Sequence, residues 1–232
     1  METGEKQWYS QWWGILLILF LTLFLIVLVA LGFYIADIAG RIKSGEIVSE
    51  QVLAEIDKYK TAKENPAVSG TNNYWLGSAK PKITIVEFAD FSCPNCKNSF
   101  SNIREISLKY RNDVKIIFRD YPIYENSINL ALAGRCAGEQ GLFWLMHDKL
   151  YAQQGKFELD QLPNFANQIG ADVDKFNNCL ESEKYLNDIK KDYSDGELLE
   201  ISGTPTWFIN GYKIEGDIPH DLFIQIVEEL IK

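Results

Sequence analysis

Two cysteines separated by two residues, Cys93-Pro94-Asn95-Cys96, are the part of this 232-residue sequence best equipped to do chemistry. A thiolate is both a nucleophile and a leaving group toward sulfur, so a close pair can alternate between dithiol and disulfide. The spacing suits this if Cys93 sits at a helix N-terminus. Unpaired N–H groups and the positive end of the helix dipole would then stabilise its thiolate, with Cys96 one turn in on the same face. Cys93 is thus the sulfur that attacks or is attacked, and Cys96 the one that resolves the mixed disulfide. Two other readings compete. Zinc needs two more ligands, and Cys136 and Cys179 come singly, far downstream, in a chain with two histidines. A purely structural CPNC disulfide closes too short a loop to stabilise much. No metal or organic cofactor is called for.

The elements that must position this pair are legible around it. Ile83–Phe88 (ITIVEF) is a β-branched apolar run and predicts a buried strand. Pro94 suits a first helical turn, and the helix is expected to run to about Tyr110 with Phe100, Ile103, Ile106 and Leu108 as its apolar positions. Val114–Arg119 predicts a second strand, parallel to the first in a βαβ unit. Residues 125–200 read as a helical block. Pro205–Ile209 and Tyr212–Ile214 flank Asn210-Gly211, the preferred type I′ hairpin turn, and an amphipathic helix follows from about His220 to Ile231. The expected architecture is α/β: a four-stranded mixed sheet with flanking helices and a helical insertion.

Further residues join the pair. Glu87, six before Cys93 and between apolar neighbours, is expected to be desolvated and to exchange a proton with Cys96; the alternative turns it to solvent. Thr204-Pro205, just before a strand, is a place for a cis bond that would turn the Thr204 backbone toward the cysteines. Thr204, Pro205, Pro94 and Asn95 are the expected substrate contacts. Trp144 and Trp207 are expected in the core, and the acid-rich segment 181–200 on a solvated helix face. His147 and His220 have no serine elbow beside them and are expected to cap helices or lie at the surface.

Upstream, no charged residue occurs between Lys6 and Asp37. The run Gly14–Ala36 is long enough as a helix to cross a hydrocarbon core of about 30 Å, and Trp8, Tyr9, Trp12, Trp13, Phe33 and Tyr34 suit its two interfaces. It is longer than a signal-peptide core and no A-x-A site follows, so an uncleaved signal anchor is expected over 13–36, after an N-terminal tail of residues 1–12. Flanking charge is nearly silent on orientation. The catalytic side is placed outside the cytoplasm because disulfide chemistry requires it. Residues 37–73 are expected to form a stalk and linker. Within it Val48, Val52, Ile56 and Tyr59 mark one helical face, read as a spacer or as a packing contact, and 64–73 is a linker by composition. The catalytic domain is expected over 74–232. Net charge is −9, which excludes the basic footprint of a nucleic-acid binder.

The stretches IVEFADFSCPNCK (85–97), GRCAGEQGLFWLMHDKLY (134–151), FNNCL (176–180) and GTPTWFINGYKIEG (203–216) resemble the DsbA-like branch of the thioredoxin superfamily. The resemblance covers about two-thirds of the chain and implies a thioredoxin fold. It also places the nucleophile on Cys93, resolution on Cys96, the buried acid on Glu87 and the cis-proline loop on Thr204-Pro205. It implies a second pair in Cys136 and Cys179, read as a structural disulfide, against a redox relay or two unpaired thiols. Its Pro-Asn dipeptide departs from the Pro-His of the best-known oxidase and so lacks one stabiliser of the thiolate. The implied function is a membrane-anchored, extracytoplasmic thiol-disulfide oxidoreductase that introduces disulfides into unfolded secreted proteins. Reoxidation would come from a quinone-linked membrane partner of the DsbB or vitamin K epoxide reductase kind. A reductase or isomerase using the same residues, or a non-catalytic anchored chaperone, are the alternatives.

Overall fold

In the computed structural model the described residues are 11–43, 56, 59, 65–70 and 74–232. The chain divides into two compact units, Met1–Gln51 and Val52–Lys232.

In the first unit, α1 runs from Trp12 to Lys43. Its stretch Trp12–Arg41 is long and apolar enough to cross a membrane, and its large side chains are exposed along the whole length. The helix continues past Ala36 and through Gly40, so Gly40 does not break it. Nothing in local propensity stops a glycine there when the flanking residues favour helix. Positions 44–55, including Val48 and Val52, lie outside the described residues.

The second unit is built on a five-stranded sheet in the order β1-β3-β2-β4-β5. The strands are β1 (Trp75–Gly77), β2 (Ile83–Ala89), β3 (Val114–Asp120), β4 (Thr206–Ile209) and β5 (Tyr212–Glu215). β2 pairs parallel with β3 and antiparallel with β4, while β1 and β5 add antiparallel edges. The expected sheet lacked β1, which is three residues long and carries too short a pattern to register as a strand. Along β2 the side chains alternate between two cores. Ile83 and Ile85 pack with Ile103 and Ile106 of α3 (Pro94–Lys109) and with Phe223, Ile226 and Val227 of α9 (His220–Ile231). Val86 and Phe88 face Ile117, Tyr121 and Phe208. The hairpin turns at Asn210 (φ 50°) and Gly211 (φ 87°), both left-handed as a type I′ turn requires.

The insertion holds α4 (Ser127–Gly138), α5 (Phe143–Gln153), α6 (Leu162–Gln168), α7 (Val173–Glu181) and α8 (Leu186–Leu198). Its own core, with Phe143, Met146, Leu150, Phe165 and Phe176, runs on to Phe118 of β3 and to Phe91, Cys93 and Cys96. A disulfide joins Cys136 of α4 to Cys179 of α7, with Cα atoms 5.7 Å apart. It closes a long loop, worth about 4 kcal/mol in the chain-entropy account.

Several placements depart from expectation. Of the apolar positions of α3, Leu108 is 76% exposed, whereas Ser99, Asn102 and Ser107 are buried, the two serine hydroxyls donating to carbonyls of their own helix. His147 is fully buried among Phe91, Phe118, Trp144 and Tyr151, with Nδ1 2.9 Å from Asp148 Oδ1. Burial lowers its pKa, so it packs as one more ring of the aromatic core. Tyr59 is buried on the hairpin, its ring 4.7 Å from that of Tyr212. Part of the expected linker is ordered as α2 (Pro66–Ser69).

The acid-rich helix α8 is not simply a solvated face. Asp192 and Asp195 are buried. Arg119, with no exposed surface, reaches Asp192 at 2.6 Å and Asp195 at 2.7 Å, and donates to the carbonyls of Ala67 and Val68 at 3.0 and 2.9 Å. Arg135 bridges Asp120 (2.6 Å) and Asp192 (2.5 Å). Each buried guanidinium therefore finds the acceptors that burial demands, Arg119 from α2 and α8 and Arg135 from β3 and α8. Gly70 admits this approach: at φ +64° a Cβ would stand 2.4 Å from Arg119 Nη1.

Candidate active site

The dithiol stands where β2 gives way to α3. Cys93 is the N-cap residue with extended backbone (φ −74°, ψ 124°), and Pro94 opens the first turn, where its missing N–H costs nothing. Both cysteines are reduced and buried, Cys93 1% exposed and Cys96 0%, while Pro94 and Asn95 between them face solvent. From the loop that leads into β4, the strand beside β2, comes the Thr204–Pro205 peptide, which is cis. The Cys93 thiol donates to the Thr204 carbonyl at 3.2 Å. The structure thus brings together the cysteine motif and the proline loop, 111 residues apart in sequence.

The two sulfurs differ sharply in acidity. A hydrogen bond from the Cys96 thiol, opposed by burial, holds Cys93 down at about 5 from the usual 9.0. The open end of α3 acts in the same direction. Burial pushes Cys96 far up, and the charges of Cys93 and Glu87 add to it. Glu87 is 1% exposed, so the solvent-facing alternative is excluded. Its neighbours in register are Phe118 on β3 and Trp207 on β4. Among the described residues neither carboxyl oxygen of Glu87 has a hydrogen-bond partner. Burial raises it to about 8, with smaller contributions from Cys93 and Asp217. At neutral pH the site therefore pairs a thiolate outside with a protonated acid inside. Trp207 is core, its indole N–H bound to the Gly216 carbonyl at 2.9 Å. His220 is exposed at the start of α9, between Glu105 and Asp221.

Sequence reasoning passed over three residues that shape the site. Gln154, at the end of α5, donates its amide to the carbonyls of Phe91 (2.8 Å) and Cys93 (3.0 Å). Asp90, three before Cys93, accepts four hydrogen bonds, from Ser92 in its own turn, from Ile123 and Tyr124 after β3 and from Ser127 at the start of α4. Tyr124 stands close enough to Cys93 for that sulfur's charge to be the first cause raising its pKa. None of the three has a spacing that marks it, since each acts from a loop or helix end that folding brings to the motif. Beside Pro94 a cleft of about 390 Å³ is lined by Phe91, Leu130, Phe157 and Leu159, with Glu125 and Glu158 as its acids. No group of three or more His, Cys, Asp or Glu able to hold a metal occurs among the described residues.

A mixed five-stranded sheet with a Cys-x-x-Cys helix N-terminus against a cis-proline defines a thioredoxin-fold dithiol protein. The family model described as Thioredoxin matches residues 69–229, and the chain belongs to that family. Solved structures of DsbA-like thiol-disulfide proteins share the fold. Oxidised BdbD of Bacillus subtilis superposes with TM-score 0.62 at 26% identity, over 72% of this chain and 99% of that one. The thiol-disulfide exchange protein alpha-DsbA2 of Wolbachia pipientis gives 0.65 at 21% identity, over 79% and 98%. Among curated proteins, a segment of 143 residues is 33% identical to a protein named Na(+)/H(+) antiporter NhaA 1 of Salinispora arenicola, covering 60% of this chain and 22% of that one. A second, named Na(+)/H(+) antiporter NhaA 3 of Salinispora tropica, is 34% identical over the same length and shares. The chain thus spans about a fifth of the length of these curated relatives.

Proposed function

We propose that the chain is a membrane-anchored thiol-disulfide oxidoreductase that works outside the cytoplasm and introduces disulfides into secreted proteins through Cys93 and Cys96. The observation that carries this is the contrast within the dithiol: the Cys93 thiol held at about 5 while Cys96 and Glu87 are pushed up. A low pKa at the outer sulfur stabilises the reduced site relative to its disulfide, which makes the disulfide a readier donor.

The steps balance as follows. A substrate thiolate attacks the Cys93 sulfur of the Cys93–Cys96 disulfide, and the Cys96 thiolate leaves. That thiolate, more basic than Glu87, takes the carboxyl proton. The second substrate thiolate attacks the substrate sulfur of the mixed disulfide, and Cys93 leaves as a stable thiolate. The substrate has lost two electrons and the site has gained them. Glu87 returns to its protonated form from solvent, and a quinone-linked membrane protein then reoxidises the dithiol by accepting its two electrons, the Cys96 proton leaving to solvent as its sulfur closes the disulfide. Thr204, with its backbone turned to Cys93, and the exposed Pro94 and Asn95 line the path of an extended substrate. The apolar helix α1 supports the anchor, and the Cys136–Cys179 disulfide supports an oxidising compartment. The antiporter name of the curated relatives is not carried over, because the match covers 22% of those chains.

The test is the reduction potential of Cys93/Cys96, measured on the full chain in detergent micelles equilibrated with glutathione buffers, together with oxidative refolding of a reduced substrate. A potential between about −120 and −180 mV supports donation of disulfides; about −270 mV assigns the site to a reductase.

A further inference from the structure

The turn that carries Cys93 is gripped by one face and the end of α5. His147, Tyr151 and Gln154 follow one another at helical spacing there. The rings of His147 and Tyr151 pack on Phe91, with centroids 5.8 and 5.1 Å away. The Tyr151 hydroxyl donates to the Asp90 carbonyl at 3.4 Å. Gln154, the C-cap residue of α5, donates its side-chain amide to the carbonyls of Phe91 and Cys93 at 2.8 and 3.0 Å. Its own backbone carbonyl accepts from Lys97 Nζ of α3 at 3.4 Å. Phe91 and Cys93 are both buried, so a donor lost to their carbonyls is costly.

We propose, on the thiol-exchange reading above, that Gln154 is the positioning residue through which the helical insertion sets the acidity of Cys93 and the potential of the Cys93–Cys96 couple.

Two effects act with one sign. The carbonyls of Phe91 and Cys93 are the negative ends of dipoles close in sequence to the Cys93 sulfur, and a donor bound to each offsets their repulsion of a thiolate. The Cys93 carbonyl also accepts the first backbone bond of α3, from the Lys97 amide at 3.1 Å. Holding that carbonyl in place keeps Cys93 at the N-cap, where the open N–H groups of the helix favour its thiolate. The disulfide carries no charge, so both effects favour the reduced site and raise the potential. Both acceptors are carbonyls, so an NH2 group suits them and a carboxylate of the same shape opposes them. The bonds that Cys96 and Asn95 give the sulfur stay as they are; Gln154 acts on the backbone that carries it. The other titratable groups around Cys93 are Glu87 of β2, Asp90 and Tyr124 of the adjoining loops, Cys96 and Lys97 of α3 and Tyr151 of α5. None of them is changed when residue 154 is replaced.

The experiment follows the thiolate absorbance of the reduced full chain in detergent micelles against pH, and measures the potential at pH 7 in glutathione buffers. Q154M keeps the length of the side chain, removes both donors, and meets the apolar lining of the cleft at Phe91, Phe157 and Leu159. The thiol–thiolate constant of Cys93 is expected to shift about threefold toward the thiol. The potential is expected to fall by about 14 mV, the same threefold at about 30 mV per decade for two electrons. Q154E sets a carboxylate against the two carbonyls and is expected to lower the potential further than Q154M. Q154A takes the place of Q154M should that variant not fold, with shifts expected in the same direction. D192A loosens the insertion at α8, away from the turn, and is expected to move neither quantity. An unmoved midpoint in Q154M, a potential that moves without the midpoint, a smaller fall in Q154E than in Q154M, or an equal shift in D192A overturns the proposal. These readouts compare each variant with wild type. A wild-type potential in the reductase range would overturn the oxidase reading and leave the comparison standing.

Discussion

Replacing Glu87 by Gln should make the protein more stable at high pH and leave it almost unchanged at low pH. The carboxyl is buried without a hydrogen-bond partner among the described residues, and burial is the first cause of a pKa raised from 4.5 to about 8. Between those values the folded chain binds a proton that the unfolded chain has released. Stability therefore falls as pH rises, by about 1.4 kcal/mol per pH unit for this one group. The sign is that of a raised pKa: the contribution is whole below 4.5 and lost by about 8. The gap corresponds to about 5 kcal/mol at full ionisation and about 3 kcal/mol at pH 7. Gln cannot ionise and leaves the same number of buried polar atoms as the neutral acid, so the two proteins should match near pH 4.5. The assay is urea unfolding in micelles at about pH 5, 6, 7 and 8, in the disulfide form so that neither active-site cysteine titrates. The difference between E87Q and wild type should open steadily with pH, and substrate oxidation by E87Q should slow as Cys96 loses its proton source. Parallel pH curves for the two proteins would mean that Glu87 is ionised and solvated, and the proton step assigned to it would fall.

Three further outcomes follow from the same physics. The rate of alkylation of Cys93 should titrate with a midpoint near 5, and C96A should move that midpoint upward, because the Cys96 hydrogen bond is the first cause of the lowering; a C96A midpoint equal to that of wild type would refute the cause. C136S/C179S should melt lower by more than about 5 °C with the Cys93/Cys96 potential unchanged, measured by calorimetry and glutathione equilibration. D192A strips one acceptor each from Arg119 and Arg135 and should cost about 3–5 kcal/mol in urea unfolding, again with no change in potential.

What was legible in the sequence was what local rules write down. Cys93 and Cys96 announce themselves by spacing, Pro94 by its place in a first turn, Asn210-Gly211 by the φ angles that only such residues tolerate. The strands β2 and β3 were visible because buried strands are continuous apolar runs. What escaped was written in three dimensions only. Asp192 and Asp195 sit in a helix as acidic as any solvated one, and only the arrival of Arg119 from β3 and Arg135 from α4 buries them. His147 looks like a surface residue beside Asp148 until four aromatic rings close around it. Asp90 lies inside the motif's own stretch, yet its four donors come partly from more than 30 residues away. Tyr124 has no periodicity to read.

The reach of Arg119 to the carbonyls of Ala67 and Val68 changes where this protein can be cut. A soluble fragment trimmed at Tyr74, where the catalytic texture begins, would discard α2 and strip two acceptors from a guanidinium with no exposed surface. It would also discard Tyr59, which covers the hairpin. Such a fragment should be poorly expressed or prone to aggregation, whereas one starting upstream of Ile56 retains both. For the same reason, a protease that nicks the chain between Tyr59 and Asn65 would release a head that still carries α2 as a plug. The segment that follows α1 is, over its last described residues, a part of the second unit's own interior.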